Sequence, residues 1–311
     1  MAKGTNSDNL LFQSEKHPLV ALDFETEEQY CLGLIHRKAY ERAGTMAKGQ
    51  DVLDVGCNNG YGTKIISENC TSIIGVDVSD RAVAEAQRAY ATGDLQFRVI
   101  GGRALPFEDQ TFDLITSFQV IEHVADVEEY LSEIKRVLRP GGKAVFTTPN
   151  AEIRLDPGMK PWNPFHVREY GADELKQLLA TVFSDVVVEG LFAEPAFYEI
   201  EYNRAQAARQ AARRSKVSIR HPFKALKILA RHQLTVIIKA VLPQSAVQRL
   251  RDFVRQFPNG NGERSSEKPA GVSSTDRSFV QRWSVDDLFY SADTLERALD
   301  LIAICRKSDE T

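Results

Sequence analysis

Gly56, Gly60 and Gly62 stand in the stretch Gly56-Cys57-Asn58-Asn59-Gly60-Tyr61-Gly62, directly after an apolar run that ends at Val55. Glycines placed this way let the main chain turn sharply after a strand and let a ligand approach the backbone closely. Asp77 lies twenty-one residues beyond Gly56, closing a second apolar run in GVDVS. An acid at that distance accepts hydrogen bonds from both hydroxyls of a ribose, which places a nucleoside across the carboxyl ends of adjacent strands. The spacing Gly56-x-Asn58-x-Gly60 is not the GxGxxG of a dinucleotide site. The chemistry on offer is nucleoside binding beside a tight strand–helix turn.

Those residues need elements to hold them. DVLDVG (51–56), SIIGVD (72–77), LQFRVI (95–100), FDLITS (112–117) and KAVFTTP (143–149) read as buried strands bounded by Gly, Asp, Ser or Pro. Between them, SDRAVAEAQRAYA takes Ser79 as a helix cap with Asp80 in the first turn. VEEYLSEIKRVL spaces Tyr130, Ile134 and Leu138 by four and stops at Pro140-Gly141-Gly142. Strands alternating with helices predict an α/β doubly wound fold with parallel pairing and helices on both faces of the sheet. One more helix is expected at 172–183 and one more strand at 186–192, with a final buried strand in ALDLIAIC (298–305). A strand arriving so late makes the intervening stretch an insertion into the α/β domain.

The 311 residues, 43% hydrophobic and 26% charged, suit one large or two modest globular domains and exclude a collagen-like, wholly disordered or multi-span membrane chain. Cys31, Cys57, Cys70 and Cys305 lie far apart with no CxxC pair, so neither a disulfide framework nor a metal site is expected. The N-terminal residues do not read as a signal peptide, and the longest apolar stretch, 234–242, is interrupted by Lys239. A cytoplasmic protein is the expectation. The net charge of −4 conceals two opposed regions. Residues 203–257 hold thirteen Lys/Arg against one acid, Asp252, while the rest of the chain is strongly acidic. Arg220, Lys224, Lys227 and Arg231 would share one helix face, beside Phe223, Leu226 and Leu229.

The resulting domain reading is an N-terminal helical cap (1–49), an α/β domain (50–202), a basic helical insertion (203–257), a polar mobile linker (258–278) and a completing segment (279–311).

From the glycine turn onward, VLDVGCNNGYG, VDVS, LPFEDQTFDLITS, QVIEHV and EIKRVLRPGGKAVFTTPN resemble the class I S-adenosylmethionine-dependent methyltransferases. The resemblance covers roughly 50–192 and 279–306, and it implies a Rossmann-like sheet of seven strands, mostly parallel, with an antiparallel last strand. Carried over position by position, it implies that Asp54 and the Gly56, Cys57, Asn58 and Gly60 backbone surround the methionine part of S-adenosyl-L-methionine. Asp77 would hold the ribose, Val78 would lie against the adenine, and Gly102 and Arg103 would border its edge. Ser117 and Phe118 would lie near the sulfonium. Asn58 replaces the family's middle glycine, which positive φ tolerates better in Asn than in most residues. Gly101 stands where many members carry an acid.

Methyl transfer asks the protein to align an acceptor with an already activated carbon and to exclude water. A hydroxyl acceptor also needs a base. His123 in IEHV, following the fourth strand, and His166 with Glu169 in NPFHVREY are the candidates. The TTPN…NPFHVREYGADELKQLL stretch resembles a subgroup associated with glycan biosynthesis, and quinone and small-molecule O-methyltransferases share parts of it. The expected acceptor is a hydroxyl on a sugar, a lipid-linked glycan or a small molecule. The basic insertion is expected to serve as a lid or subunit contact, as a peripheral contact with an anionic membrane, or as a contact for another polyanion. A non-catalytic cofactor-binding partner protein is the alternative reading. RNA methylation is a distant third, because no aromatic base-stacking platform or RNA-binding module accompanies the charge.

Overall fold

A computed structural model describes residues 24–101, 104–217 and 278–309. The chain divides into two compact units, residues 1–209 with 277–311, and residues 210–276. The first carries an eight-stranded sheet in the order β3-β2-β1-β4-β5-β8-β6-β7. Its strands are β1 Asp51–Val55, β2 Ser72–Asp77, β3 Leu95–Val99, β4 Phe112–Phe118, β5 Leu138–Pro149, β6 Ser184–Ala193, β7 Leu288–Ser291 and β8 Asp300–Arg306. Strands β1 to β5 pair in parallel, and β8 enters antiparallel between β5 and β6. The order reverses between β1 and β4, which is the switch point where an open α/β sheet forms its ligand crevice. This is a Rossmann-like doubly wound α/β fold.

The helices form where local signals ask for them. The Ser79 hydroxyl accepts from the Ala82 N–H at the start of α3 (Asp80–Tyr90), whose Ala82, Val83 and Ala86 are buried. Asp126 caps α4 (Val127–Val137) through the Glu129 N–H, and α4 buries Tyr130, Leu131, Ile134 and Val137. Thr26 caps α1 (Glu27–Met46), and α2 (Tyr61–Ser67) starts at Gly60. Ala151–Arg154, Ala172–Ala180 and Pro195–Val217 form α5, α6 and α7, and Phe279–Arg282 forms α8. One apolar cluster joins α4 and α6 to one face of the sheet, through Tyr130, Leu131, Leu175 and Leu179 on Phe146 and Leu301. A second joins α1, α2 and α3 to the other, through Tyr40, Ile66 and Val83 on Val52, Leu114 and Ile302. Each such side chain, fully buried, contributes on the order of 1.5–3 kcal/mol.

Three details depart from the sequence reading. The sheet has eight strands rather than seven, because Leu288–Ser291 pairs antiparallel with β6. Four residues inside a polar stretch are too short to show a strand period. The expected buried strand at 95–100 is an edge strand, with Gln96, Arg98 and Val99 exposed. Helix α4 does stop before Pro140-Gly141-Gly142, but β5 begins at Leu138 rather than at Lys143, and its pairing with β4 slips between Phe112 and Leu114. Gly141 turns with φ +72°, and its N–H donates to the Lys307 carbonyl.

Of the expected cap, residues 24–49 are described and supply α1. The helix expected from 203 begins earlier, at Pro195, and its Arg204 and Arg209 pair with Glu201 and Asp156. Residues 218–277, which hold the rest of the expected basic insertion and nearly all of the linker, lie outside the described residues.

Candidate active site

The glycine turn is built at the carboxyl end of β1. Gly56 has φ +81°, Asn58 φ 46° and Gly60 φ +79°, so the left-handed conformation expected of Asn58 is adopted. Every N–H from residue 56 to residue 60 is used, either by the end of β2 or within the turn itself. Gly56 and Cys57 donate to the Val76 carbonyl, Asn58 to Asp77 Oδ2, Asn59 to Asn58 Oδ1, and Gly60 to the Cys57 carbonyl. The turn is therefore fixed in advance, and it keeps no row of outward donors of the kind a pyrophosphate needs. A nucleoside without phosphates fits such a turn.

Asp77 closes β2 beside it. Its Oδ2 accepts the Asn58 N–H at 2.9 Å and its Oδ1 accepts the Ser79 N–H at 2.9 Å. A carboxylate has about four acceptor positions, so each oxygen can also take a hydroxyl of a ribose diol. Asp54, fully buried one strand away, binds the Thr63 hydroxyl at 2.6 Å and the Thr116 hydroxyl at 2.8 Å. Burial pushes its carboxyl up to about 6, although both hydroxyls act to lower it. Its visible work is to tie β1 to α2 and β4.

The motif glycines answer to the chain's own packing as well as to a ligand. A Cβ on Gly56 would stand 2.4 Å from Val120 Cγ2, and one on Gly60 2.6 Å from Phe97 Cε1. One on Gly62 would stand 2.1 Å from Tyr40 Cζ. Tyr40, from α1, lies edge-on to Tyr61 and to Phe118, with centroids at 5.4 and 4.9 Å. Phe118 is thus packed under α1 beside the turn. Ser117 points to the opposite face, where its hydroxyl shares a hydrogen bond with Tyr130. Val78 is half-buried and packs against the main core, and Gly102 and Arg103 lie outside the described residues.

Beyond β4 the chain makes a 3₁₀ turn, Ile121–His123, and the contact between Gly56 and Val120 sets this turn directly against the glycine loop. The structure brings all three predicted base candidates together here. The His123 and His166 rings meet edge to face with centroids 4.7 Å apart. His123 Nδ1 lies 2.8 Å from the Phe165 carbonyl oxygen, and His166 Nδ1 lies 2.7 Å from Glu169 Oε1. Arg154 grips Glu169 from Nε at 2.8 Å and from Nη2 at 3.1 Å, and lies over the Trp162 ring at 4.2 Å. Burial works to raise the Glu169 carboxyl, but the bonds from His166 and Arg154 outweigh it and hold it below the ordinary value. Glu169 is thus bonded on both oxygens, to His166 and Arg154 through Oε1 and to Arg154 through Oε2, and it braces the His166 ring.

Sequence reasoning missed several partners in this cluster. Glu122, 1% exposed, binds the Thr148 hydroxyl at 3.0 Å through Oε2, and burial pushes its carboxyl up to about 8. Asp300 is buried at the start of β8 and takes both oxygens' bonds from Gln119 Nε2, at 3.2 and 3.0 Å. Gln119 and Glu122 both precede His123 in the same QVIEH stretch, a local signal that the sequence did contain. Arg154, Trp162 and Asp300 come from other segments, and no local pattern announces them.

Residues 53–146 match a family profile described as a methyltransferase domain. The chain is 40% identical over 152 residues to a protein of Mycolicibacterium smegmatis named a probable S-adenosylmethionine-dependent methyltransferase, covering 49% of this chain and 58% of that one. A protein of the same name from Mycobacterium tuberculosis is 37% identical over 168 residues, covering 53% and 60%. A ubiquinone biosynthesis O-methyltransferase of Rhizobium etli is 32% identical over 131 residues, covering 40% and 53%. The chain thus spans between about half and three fifths of the length of these curated relatives. The segment similar to the methyltransferase domain family, residues 53–146, is the one that builds the glycine turn, Asp77 and the Glu122-His123 turn beside them.

Proposed function

We propose that this chain transfers the methyl group of S-adenosyl-L-methionine to a hydroxyl. The observation that carries the reading is the contact between Gly56 and Val120. It packs a preformed nucleoside turn, with Asp77 at its side, against the turn that presents Glu122 and His123. The cofactor brings a methyl carbon activated by its positive sulfur. The chain supplies binding through Asp77 and the 56–60 backbone, and alignment through the wall formed by Tyr40 and Phe118. The Phe165 carbonyl can only accept, so His123 Nδ1 carries a proton and Nε2 of the neutral ring bears the lone pair. That tautomer supports His123 as the base that takes the acceptor's proton.

The proposed acceptor is a hydroxyl of a sugar, a lipid-linked glycan or a small molecule. The name of the Rhizobium relative supports oxygen as the acceptor atom. The excess of basic residues in 203–257 supports an acceptor that is anionic or presented at an anionic surface. Among the described residues no helix is long and apolar enough to cross a membrane. The deciding experiment supplies labelled S-adenosyl-L-methionine to the protein with fractionated extract. Label is expected in a lipid, polysaccharide or small-molecule pool. Cofactor binding by calorimetry with no label in any pool would favour the non-catalytic alternative, and label in RNA would overturn the acceptor class.

A further inference from the structure

Glu122, His123 and His166 each offer one ligand atom, and these atoms lie within 4.8 Å of one another. What surrounds them is as informative as the distance. Metal-binding histidines almost always donate their second ring N–H to a carbonyl or carboxylate, which fixes the tautomer and aims the other nitrogen at the ion. Both histidines here do so. His123 Nδ1 faces the Phe165 carbonyl at 2.8 Å, and His166 Nδ1 faces Glu169 Oε1 at 2.7 Å. Arg154 in turn holds Glu169 through two bonds. With the proton on Nδ1, the nitrogen left to bind an ion is Nε2 of each ring. Glu122 is arranged in the same manner: Thr148 occupies Oε2, and Oε1 is the oxygen 4.0 Å from His123 Nε2.

We propose that Glu122, His123 and His166 form a site for a divalent transition metal, zinc foremost, at the acceptor side of the crevice. Two imidazoles and one carboxylate are a donor set for zinc or iron rather than for magnesium or calcium, which prefer oxygen alone. Three protein ligands are also what a catalytic zinc site provides, with a position left open for water or substrate. Zinc–nitrogen bonds are about 2.0–2.1 Å, so binding draws the three atoms together from their present spread. His166 stands in the irregular segment between α5 and α6, which can accommodate that movement more readily than a strand.

One consequence rests on the methyl-transfer reading. The open position takes the acceptor hydroxyl, and the ion lowers its pKa so that its proton passes to solvent. The oxygen's electron pair then attacks the methyl carbon, and the carbon–sulfur bond breaks with its pair going to sulfur, leaving a neutral thioether. In the loaded protein His123 is a ligand, and the ion replaces it as the agent that activates the hydroxyl.

The binding claim is tested without turnover. The full chain, stripped with a chelator, is dialysed against zinc or cobalt(II). One ion per chain is expected, with cobalt giving the visible bands of four- or five-coordinate geometry. Imidazole NMR is expected to show zinc perturbing two of the six histidines, His123 and His166. His166→Gln and Glu122→Gln should each weaken binding by at least about tenfold, and Glu169→Gln, which reaches the ion only through His166, by roughly 10–100-fold. Calorimetry with S-adenosyl-L-methionine on every variant reports whether it is folded. Failure of wild type to bind either ion saturably overturns the proposal, and so does binding unchanged in both His166→Gln and Glu122→Gln. A chain that binds one ion at these residues yet transfers no methyl group upholds the site while refuting the activity.

Discussion

Asp77 Oδ2 accepts the backbone N–H of Asn58 at 2.9 Å, so the acid at the end of β2 also holds the turn at the end of β1. Replacing it removes a strut of the turn and, in the proposed reading, a ribose contact as well. Asp77→Ala is expected to lower affinity for S-adenosyl-L-methionine by about 2 kcal/mol or more, since hydrogen bonds to charged groups contribute about 1.5–3 kcal/mol. Asp77→Asn, which keeps an acceptor for the Asn58 N–H, should lose less. Calorimetry on both variants checks the order.

Gly56 has two reasons to be glycine, its φ of +81° and the Val120 methyl 2.4 Å from any added Cβ. Gly56→Ala is expected to destabilise the fold by about 1–3 kcal/mol, the usual cost of overpacking, in addition to the strain at positive φ. Adding Val120→Ala should restore only the packing part. Denaturant midpoints of the single and double variants separate the two contributions.

Asp54 gives the fold a pH signature. Burial raises its carboxyl in the fold from the ordinary 3.8 to about 6. Between those values the unfolded chain has released the proton and the folded chain retains it, so this group makes stability fall as pH rises from about 4 to about 6. Asp54→Asn should flatten that part of the profile. Urea unfolding at intervals across the window provides the measurement. An unchanged slope would show that the carboxyl is not titrating there.

His123 tests the chemistry rather than the fold. His123→Ala is expected to cut turnover on a true acceptor by roughly 10²–10⁴-fold, the usual worth of a positioned base. Affinity for S-adenosyl-L-methionine should remain nearly that of wild type, because Asp77 and the glycine turn are untouched. Equal turnover in the variant would remove His123 from the reaction.

Arg154 and Glu169 form an ion pair with side chains only 7% and 0% exposed. Arg154→Ala leaves a buried carboxylate facing His166 alone, and a loss of about 3–5 kcal/mol is expected. The double variant Arg154→Ala with Glu169→Gln should recover part of it. Thermal unfolding of the three variants completes the comparison.

The turn and the acid were legible in the sequence because both are local: a strand, a glycine bend and a second strand end within 27 residues, from Asp51 to Asp77. The same holds for the caps of α3 and α4, where one side chain satisfies an N–H three residues away. His123, His166 and Glu169 were legible as residue types able to move protons, but the grip of Arg154 on Glu169 joins segments that no local pattern connects.

Tertiary structure decided the rest, because its contacts join segments that no short period connects. Asp300 reaches Gln119 across 181 residues, Tyr40 of α1 closes over Gly62, and His166 meets His123 across 43 positions of chain. Such pairs are set by the crossover order of the sheet, and a side-chain period of two or 3.6 carries no information about which strand ends will adjoin. The sequence by itself determined the α/β alternation, the nucleoside turn and the identity of its acid. Packing alone brought Glu122, His123 and His166 within 4.8 Å of one another at their ligand atoms.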